Sequence, residues 1–178
     1  MKSSNSPSAL KVSVIVAVYN QERFIGRCLR SLLQQTLPIT SYEIIVIDDG
    51  STDRTAYALS LFADGFDSPV RVISSQHNLG LPASLNRGIS AARAPYVVRV
   101  DSDDFVNVNF LNFLSFYLDS NPHVDAAATD YFLVDDEENV TERCNCDEKP
   151  IACGIMFRKN QLLETGLYDE DFRLHEER

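Results

Sequence analysis

Val12-Ser13-Val14-Ile15-Val16-Ala17-Val18-Tyr19-Asn20 is the stretch from which the fold can be assigned. Its first seven residues are apolar apart from Ser13, and the run falls well short of the roughly 18 residues a membrane span requires. Tyr19-Asn20-Gln21-Glu22 follows it, with no small-residue cleavage site, so it is a buried strand and not a secretory signal. Near-continuous hydrophobicity in so short a run suits a strand covered on both faces, as in a parallel sheet.

Glu43–Ile47, Val70–Ser74 and Tyr96–Val100 have the same character. Between and after these runs the apolar spacing turns helical. Phe24, Ile25, Cys28, Leu29, Leu32 and Leu33 form one stripe, ended by Pro38. Ala56, Leu59, Phe62 and Ala63 form a second, with Ser51 or Thr52 as its cap and Asp53 in its first turn. A third helix starts at Pro82 and runs through Leu85, Ile89 and Ala92. A fourth carries Val108, Leu111, Leu114 and Leu118 and stops before Asn121-Pro122. This alternation predicts βαβ units and an α/β fold, a doubly wound, mostly parallel sheet flanked by helices.

Beyond Pro122 the rhythm changes. Val124–Ala128, Tyr131–Val134 and Ile155–Phe157 read as strands, residues 135–139 as an acidic turn, and a short helix ends near Gly166. Residues 1–10 are a loose polar tail, and residues 11–178 form one domain. Leu167–Arg178 is charged and lacks a terminator, so the chain is expected to stop before its fold is complete.

Composition narrows the function. The 178 residues are 44% hydrophobic, enough for one domain with a substantial core. Sixteen Lys+Arg against 26 Asp+Glu give a net charge of −10, which excludes a binder that tracks nucleic-acid phosphates. Cys28, Cys144, Cys146 and Cys153 have no zinc-finger spacing and are read as free thiols of a reducing compartment, which makes the expected location cytoplasmic. His77, His123 and His175 are too scattered for a metal site.

In open α/β sheets ligands bind beyond the carboxyl ends of the strands. Strand one ends in Tyr19-Asn20, strand two in Asp48-Asp49-Gly50-Ser51, strand four in Asp101-Ser102-Asp103-Asp104. Three carboxylates in four residues repel one another unless a cation or solvent separates them, and hard oxygen donors favour Mg²⁺ or Mn²⁺. The same cluster is also what a helix dipole attracts to its N-terminus. A carboxylate at Asp48-Asp49 can accept hydrogen bonds from a nucleobase or ribose. A phospho-acceptor receiver domain would share that acid pair but needs a later lysine, and none occurs between Lys11 and Lys149. Neither a Walker loop nor a GxGxxG turn is present.

Taken in order, Val12–Asn20, Asp48-Asp49-Gly50-Ser51-Thr52-Asp53, Asn78-Leu79-Gly80 and Asp101-Ser102-Asp103-Asp104 resemble the family-two glycosyltransferases over about residues 11–178. The resemblance implies a GT-A fold, with a donor-binding half over about 11–104 and an acceptor-side half over about 105–178. It implies inverting transfer of a sugar from a nucleotide diphosphate donor, UDP- or GDP-linked, to a carbohydrate or lipid-linked acceptor, with Mn²⁺ or Mg²⁺ as cofactor. It places Ala17, Tyr19, Asn20, Glu22, Asp48, Asp49, Asn78, Gly80, Asn86, Asp101 and Ser102 on the donor. Tyr19 lies near the base, and Asp49, with or without Asp48, holds base or ribose.

Asp103 is the implied direct metal ligand, with Asp101 as the other member of the DxD pair, while Asp104 is left to cap the following helix. After Gly166-Leu167-Tyr168-Asp169-Glu170-Asp171-Phe172, Glu177 takes the family's general-base position, with Glu176 as the alternative. Leu85 stands where the family commonly has an arginine near the phosphates. No spanning segment is expected; peripheral association with the inner membrane face is left open. Two other functions compete. A sugar-nucleotide pyrophosphorylase would want a Gly-rich basic loop where Tyr19–Glu22 stands, and a non-catalytic nucleotide-sugar binding domain would lack turnover.

Overall fold

The computed structural model describes residues 9–63 and 68–171. Eight strands and five helices follow one another along the chain: β1 Val12–Val18, α1 Ile25–Leu33, β2 Tyr42–Asp48, α2 Thr55–Ala63, β3 Val70–Ser74, α3 Leu81–Ala91, β4 Tyr96–Arg99, α4 Phe110–Ser120, β5 Ala126–Ala127, β6 Tyr131–Val134, β7 Val140–Cys144, β8 Met156–Arg158 and α5 Lys159–Thr165. A six-stranded sheet runs in the order β3-β2-β1-β4-β8-β5. β3, β2, β1 and β4 are parallel, and β8 pairs antiparallel with both β4 and β5. The sheet is therefore mostly parallel, as expected, and β6–β7 form a separate hairpin around the acidic turn.

Alternation along β1 sorts the core into two layers. Val12, Val14, Val16 and Val18 face Ile25, Cys28, Leu29 and Leu32 of α1, Leu59 of α2, and Leu111, Leu114 and Leu118 of α4. Ile15 faces the other way, with Leu85 and Ile89 of α3. Gly88 lets α3 come close to the sheet, since a Cβ there would run into Ile15 Cγ2. At the amino end of the sheet, Glu43 is buried and accepts from Ser13 Oγ (2.7 Å), Arg93 N (2.9 Å) and Arg93 Nε (3.0 Å). Arg158 of β8 donates to the carbonyls of Leu118, Asn121 and Val124, satisfying backbone acceptors at the end of α4.

Several boundaries differ from expectation. α2 begins at Thr55 and not beside Ser51 or Thr52; its first N–H donates to Asp53 Oδ1 (2.9 Å), so Asp53 takes the capping role. Ala56 faces outward, and Ala58 fills the inner position. Phe24 lies outside the core stripe, 38% exposed beneath the guanidinium groups of Arg23 and Arg27. Val108 precedes α4 and is exposed. β7 was not anticipated, because its Val-Thr-Glu-Arg-Cys sequence shows no apolar alternation, and β5 is shorter than Val124–Ala128. Among the described residues no helix is long and apolar enough to cross a membrane.

Candidate functional site

Strand order turns at β1, which sends the chain to β2 and β3 on one side while β4 returns on the other. A crevice is expected beyond the carboxyl ends of β1 and β4. The loops there are built from the sequence motifs. Asn20 adopts φ 54°, a left-handed conformation asparagine tolerates. Its Oδ1 accepts from Thr52 N (2.8 Å) and Asp53 N (3.3 Å), while its own N–H donates to Ser51 Oγ (3.0 Å). Glu22 N–H donates to Asp53 Oδ2 (3.1 Å), and Arg54 N–H donates to Glu22 Oε2 (2.8 Å). The loop after β1 and the loop after β2 are thus laced together through backbone groups that would otherwise lack partners. Tyr19, 43% exposed, stands at the end of β1.

Asp48 and Asp49 are both buried. Asp48 Oδ1 accepts from Ser51 N (3.1 Å). Asp49 reaches across the next loop, its two oxygens accepting from Leu79 N (2.9 Å) and Gly80 N (2.8 Å). Asn78 Oδ1 shares the Gly80 N–H (2.9 Å). Gly50, at φ +76°, lets the first loop pass under the second: a Cβ there would sit 2.7 Å from the carbonyl carbon of His77 and 2.8 Å from its Cα.

The loop after β4 carries the carboxylate cluster. Arg99, largely buried, grips Asp101 in a two-pronged ion pair, Nε to Oδ1 at 2.5 Å and Nη2 to Oδ2 at 3.0 Å. Cys153 Sγ accepts from Asp101 N (3.4 Å), and Cys28 Sγ donates to Asp101 O (3.5 Å). Burial and then the charges of Asp104, Asp101 and Asp103 push the Cys28 thiol up to about 12, so it stays protonated at neutral pH. Arg27 donates to Asp103 O (2.7 Å) and lies 4.6 Å over the Phe105 ring. Ser102 is buried.

Asp104 does not cap a helix: α4 starts six residues later, and its N-cap position is Asn109. Instead one oxygen each from Asp104 and Asp101 and the Cys153 sulfur lie within 4.8 Å of one another. Partial desolvation, then the charges of Asp101 and Asp103, hold the Asp104 carboxyl above the usual carboxylate range, against the opposing pulls of Cys153 and Arg27. Two carboxylate oxygens this close are within reach of one divalent cation; Asp101 is already paired with Arg99, while Asp104 has no ion pair among the described residues.

On the α3 side, Asn86 is buried, and its amide is spent on the segment after α5. Nδ2 donates to Tyr168 O (2.8 Å) and Glu170 Oε1 (2.9 Å), and Oδ1 accepts from Tyr168 N (3.0 Å). Leu85 is buried against the sheet. Ala17 lies partly buried among the same side chains. Glu176 and Glu177 lie outside the described residues.

The structure thus brings Asp101, Asp103 and Asp104 into one loop at the sheet edge, with Tyr19, Asp48 and Asp49 on the neighbouring strand ends. Sequence reasoning missed Arg99, Cys153 and Arg27. Arg99 was within reach, because side chains two apart on a strand share a face with Asp101. Cys153 carried no signal, being 52 residues from its partner.

Comparison with known proteins bears on this arrangement. The profile of a family described as "Glycosyl transferase family 2" matches residues 13–170. A Haemophilus influenzae protein named "Uncharacterized glycosyltransferase" is 35% identical over 127 residues, covering 71% of this chain and 38% of that protein. The chain therefore spans well under two thirds of that relative. Among solved structures, Staphylococcus aureus TarS 1–349 in complex with UDP-GlcNAc superposes with a TM-score of 0.75 at 25% identity, over 89% of this chain and 48% of that one. The mannosyltransferase PcManGT from Pyrobaculum calidifontis, in complex with GDP-Man and Mn²⁺, gives 0.74 at 25% identity, over 93% and 50%.

Proposed function

This chain belongs to glycosyl transferase family 2, and on that premise we propose that it carries the donor site of an enzyme that moves a sugar, with inversion, from a nucleotide diphosphate to a hydroxyl of a carbohydrate or lipid-linked acceptor. The observation that carries the proposal is the close approach of the Asp101 and Asp104 carboxylates beside the turn in strand order, where Asp104 has no ion pair among the described residues and is held above the usual carboxylate range. Structural neighbours bound to UDP-GlcNAc and to GDP-Man with Mn²⁺ support a UDP- or GDP-linked donor.

Tyr19 offers an exposed ring to the base. Asp48 and Asp49 hold the loops that frame it. Asp103 and Asp101, the DxD pair, would hold Mn²⁺ or Mg²⁺, with Asp104 close to Asp101, and the ion would offset the negative charge that gathers on the departing diphosphate. An acceptor hydroxyl is far too weak an acid to ionise alone at neutral pH, so a carboxylate must take its proton as the bond to the anomeric carbon forms. We assign that role to Glu177, with Glu176 as the alternative.

The test is a melting-temperature screen of UDP- and GDP-sugars with and without Mn²⁺. A ligand at 100 times its dissociation constant stabilises by about 2.7 kcal/mol, or about 5–10 °C for a domain of this size. The expected shift needs the metal and disappears in Asp103→Ala or Asp104→Ala. A shift that survives chelator unchanged would overturn the metal assignment. Glu177→Gln should abolish transfer while leaving the nucleotide shift intact.

A further inference from the structure

Asn86 points to a role that the donor site does not require. It sits in the middle of α3, a buried carboxamide on a helix whose other buried residues are Ala83, Ser84, Leu85, Gly88 and Ile89. A buried polar group in such surroundings persists only when its hydrogen bonds are met. All three of its bonds go to one place, the backbone of Tyr168 on both sides and the carboxylate of Glu170, more than 80 residues further along the chain. Both amide protons are thereby used, so the side chain has no donor left for a nucleotide.

The segment so held is short of other anchors. α5 has no buried residue and ends at Thr165, and Gly166 at φ +110° turns the chain away from it. Tyr168 then lines a small cavity together with Arg99, Leu85, Ile15, Val97 and Leu162. Arg99 is the guanidinium that grips Asp101 in the carboxylate loop. Asn86 thus holds Tyr168 at a cavity that Arg99, the partner of Asp101, also lines, so α3, the segment after α5 and the carboxylate loop meet around one space.

We propose that Asn86 is a positioning residue. It clips the segment 166–171 to α3 so that Tyr168 is held at the cavity it shares with Arg99 and the acceptor side is held in register with the carboxylate loop. This rests on the transferase reading above, in which the acceptor-side segment must meet the donor at a fixed distance. Reacting groups displaced by an ångström lose rate steeply while ground-state binding is little changed.

Asn86→Asp keeps the shape and the acceptor for Tyr168 N–H, but sets a carboxylate against Glu170 and the Tyr168 carbonyl. Hydrogen exchange of the Tyr168 amide should rise about tenfold or more. Adding Glu170→Gln supplies an amide that can donate to the new carboxylate and should bring exchange back to within about threefold of wild type. Glu170→Ala alters only an exposed side chain that cannot unfold the domain, and should raise exchange by a few-fold. With a UDP- or GDP-sugar as donor, kcat should fall about tenfold or more in Asn86→Asp with donor KM within about twofold, and the double variant should recover it.

The positioning role is overturned if Tyr168 exchange is unchanged in Asn86→Asp and in Glu170→Ala. It is equally overturned if Asn86→Asp raises donor KM with kcat unchanged, or removes the Mn²⁺-dependent shift given by UDP, since either marks a donor contact. A wild-type chain inert toward both donor classes, with exchange responding and recovering as described, would remove the transferase reading and support the clip.

Discussion

Replacing Asp49 by asparagine changes one oxygen to an amide nitrogen, and the structure turns that change into a number. Asp49 is 3% exposed, and each of its oxygens accepts a backbone N–H, from Leu79 and from Gly80. Whichever way the asparagine amide is turned, one of those N–H groups faces another donor; turned toward Gly80, the change is least costly, because that N–H keeps Asn78 Oδ1. A hydrogen bond to a charged acceptor contributes about 1.5–3 kcal/mol, and a buried N–H left without a partner costs about 1–3 kcal/mol. In the cheaper orientation the loss is that bond alone, at least about 1.5 kcal/mol, with a further loss because the surviving bond is no longer charge-assisted. At about 2–4 °C per kcal/mol for a domain of this size, the ligand-free melting temperature should fall by at least about 3 °C.

Thermal denaturation by circular dichroism, without nucleotide, measures this directly. Amide exchange at Leu79 and Gly80 localises it. Asn78→Ala serves as the control, since it removes a shared bond on an exposed loop; its cost should stay near 1 kcal/mol. Were Asp49 chiefly a ligand contact, as its motif suggests, Asp49→Asn would leave the ligand-free melt within about 2 °C and reduce only the nucleotide shift. That result would refute the loop-bracing role.

Gly50→Ala forces a side chain onto φ +76° and drives its Cβ into the His77 backbone at 2.7 Å. Left-handed strain of about 1–2 kcal/mol and overpacking of about 1–3 kcal/mol should add, visible as a loss of about 5 °C or more in the melting curve. The Glu43 carboxyl should make stability acid-sensitive. Burial alone would raise its pKa, but hydrogen bonds from the Arg93 side chain, Ser13 and the Arg93 backbone outweigh burial and hold it below the usual range. With the folded value depressed, its contribution is fully present above the unfolded value of about 4.3 and is lost as pH falls through the folded value. Glu43→Gln should cost about 1–3 kcal/mol at pH 7, and the gap between the two melting curves should close as pH drops below about 4; a gap constant with pH would exclude the linkage.

What could be read from the sequence was whatever a period or a local turn encodes. The Val12–Val18 run gave β1 to the residue, and Leu111, Leu114 and Leu118 gave the inner face of α4. β7 escaped because a hairpin strand exposed on both faces over Val140–Arg143 carries no apolar alternation to detect. Gly50 could be read as a turn residue, but not as the gap through which one loop passes His77, since that fact belongs to two segments 27 positions apart. The same limit hid the lacing of Asn20 to Thr52 and Asp53, and of Asn86 to Tyr168. In each case a polar side chain that a motif would assign to a ligand is answering backbone groups from a distant loop.

That distinction sorts the acidic residues of the site. Asp48, Asp49, Asp53 and Glu22 all accept backbone N–H groups of the loops around them, and Asp101 is neutralised by Arg99. Asp103 and Asp104 have no ion pair among the described residues, and the Asp104 carboxyl is pushed upward by desolvation and by Asp101 and Asp103. The first group stabilises the folded loops whether or not a ligand is present; the second raises the free energy of the empty site. A dication bound at the loop would relieve that repulsion in the holo state only, and so would couple occupancy to stability. On the proposed reading, the carboxylates that would answer to an ion are marked by the missing counter-charge, while their neighbours in the same motifs hold the frame in which that charge deficit can exist.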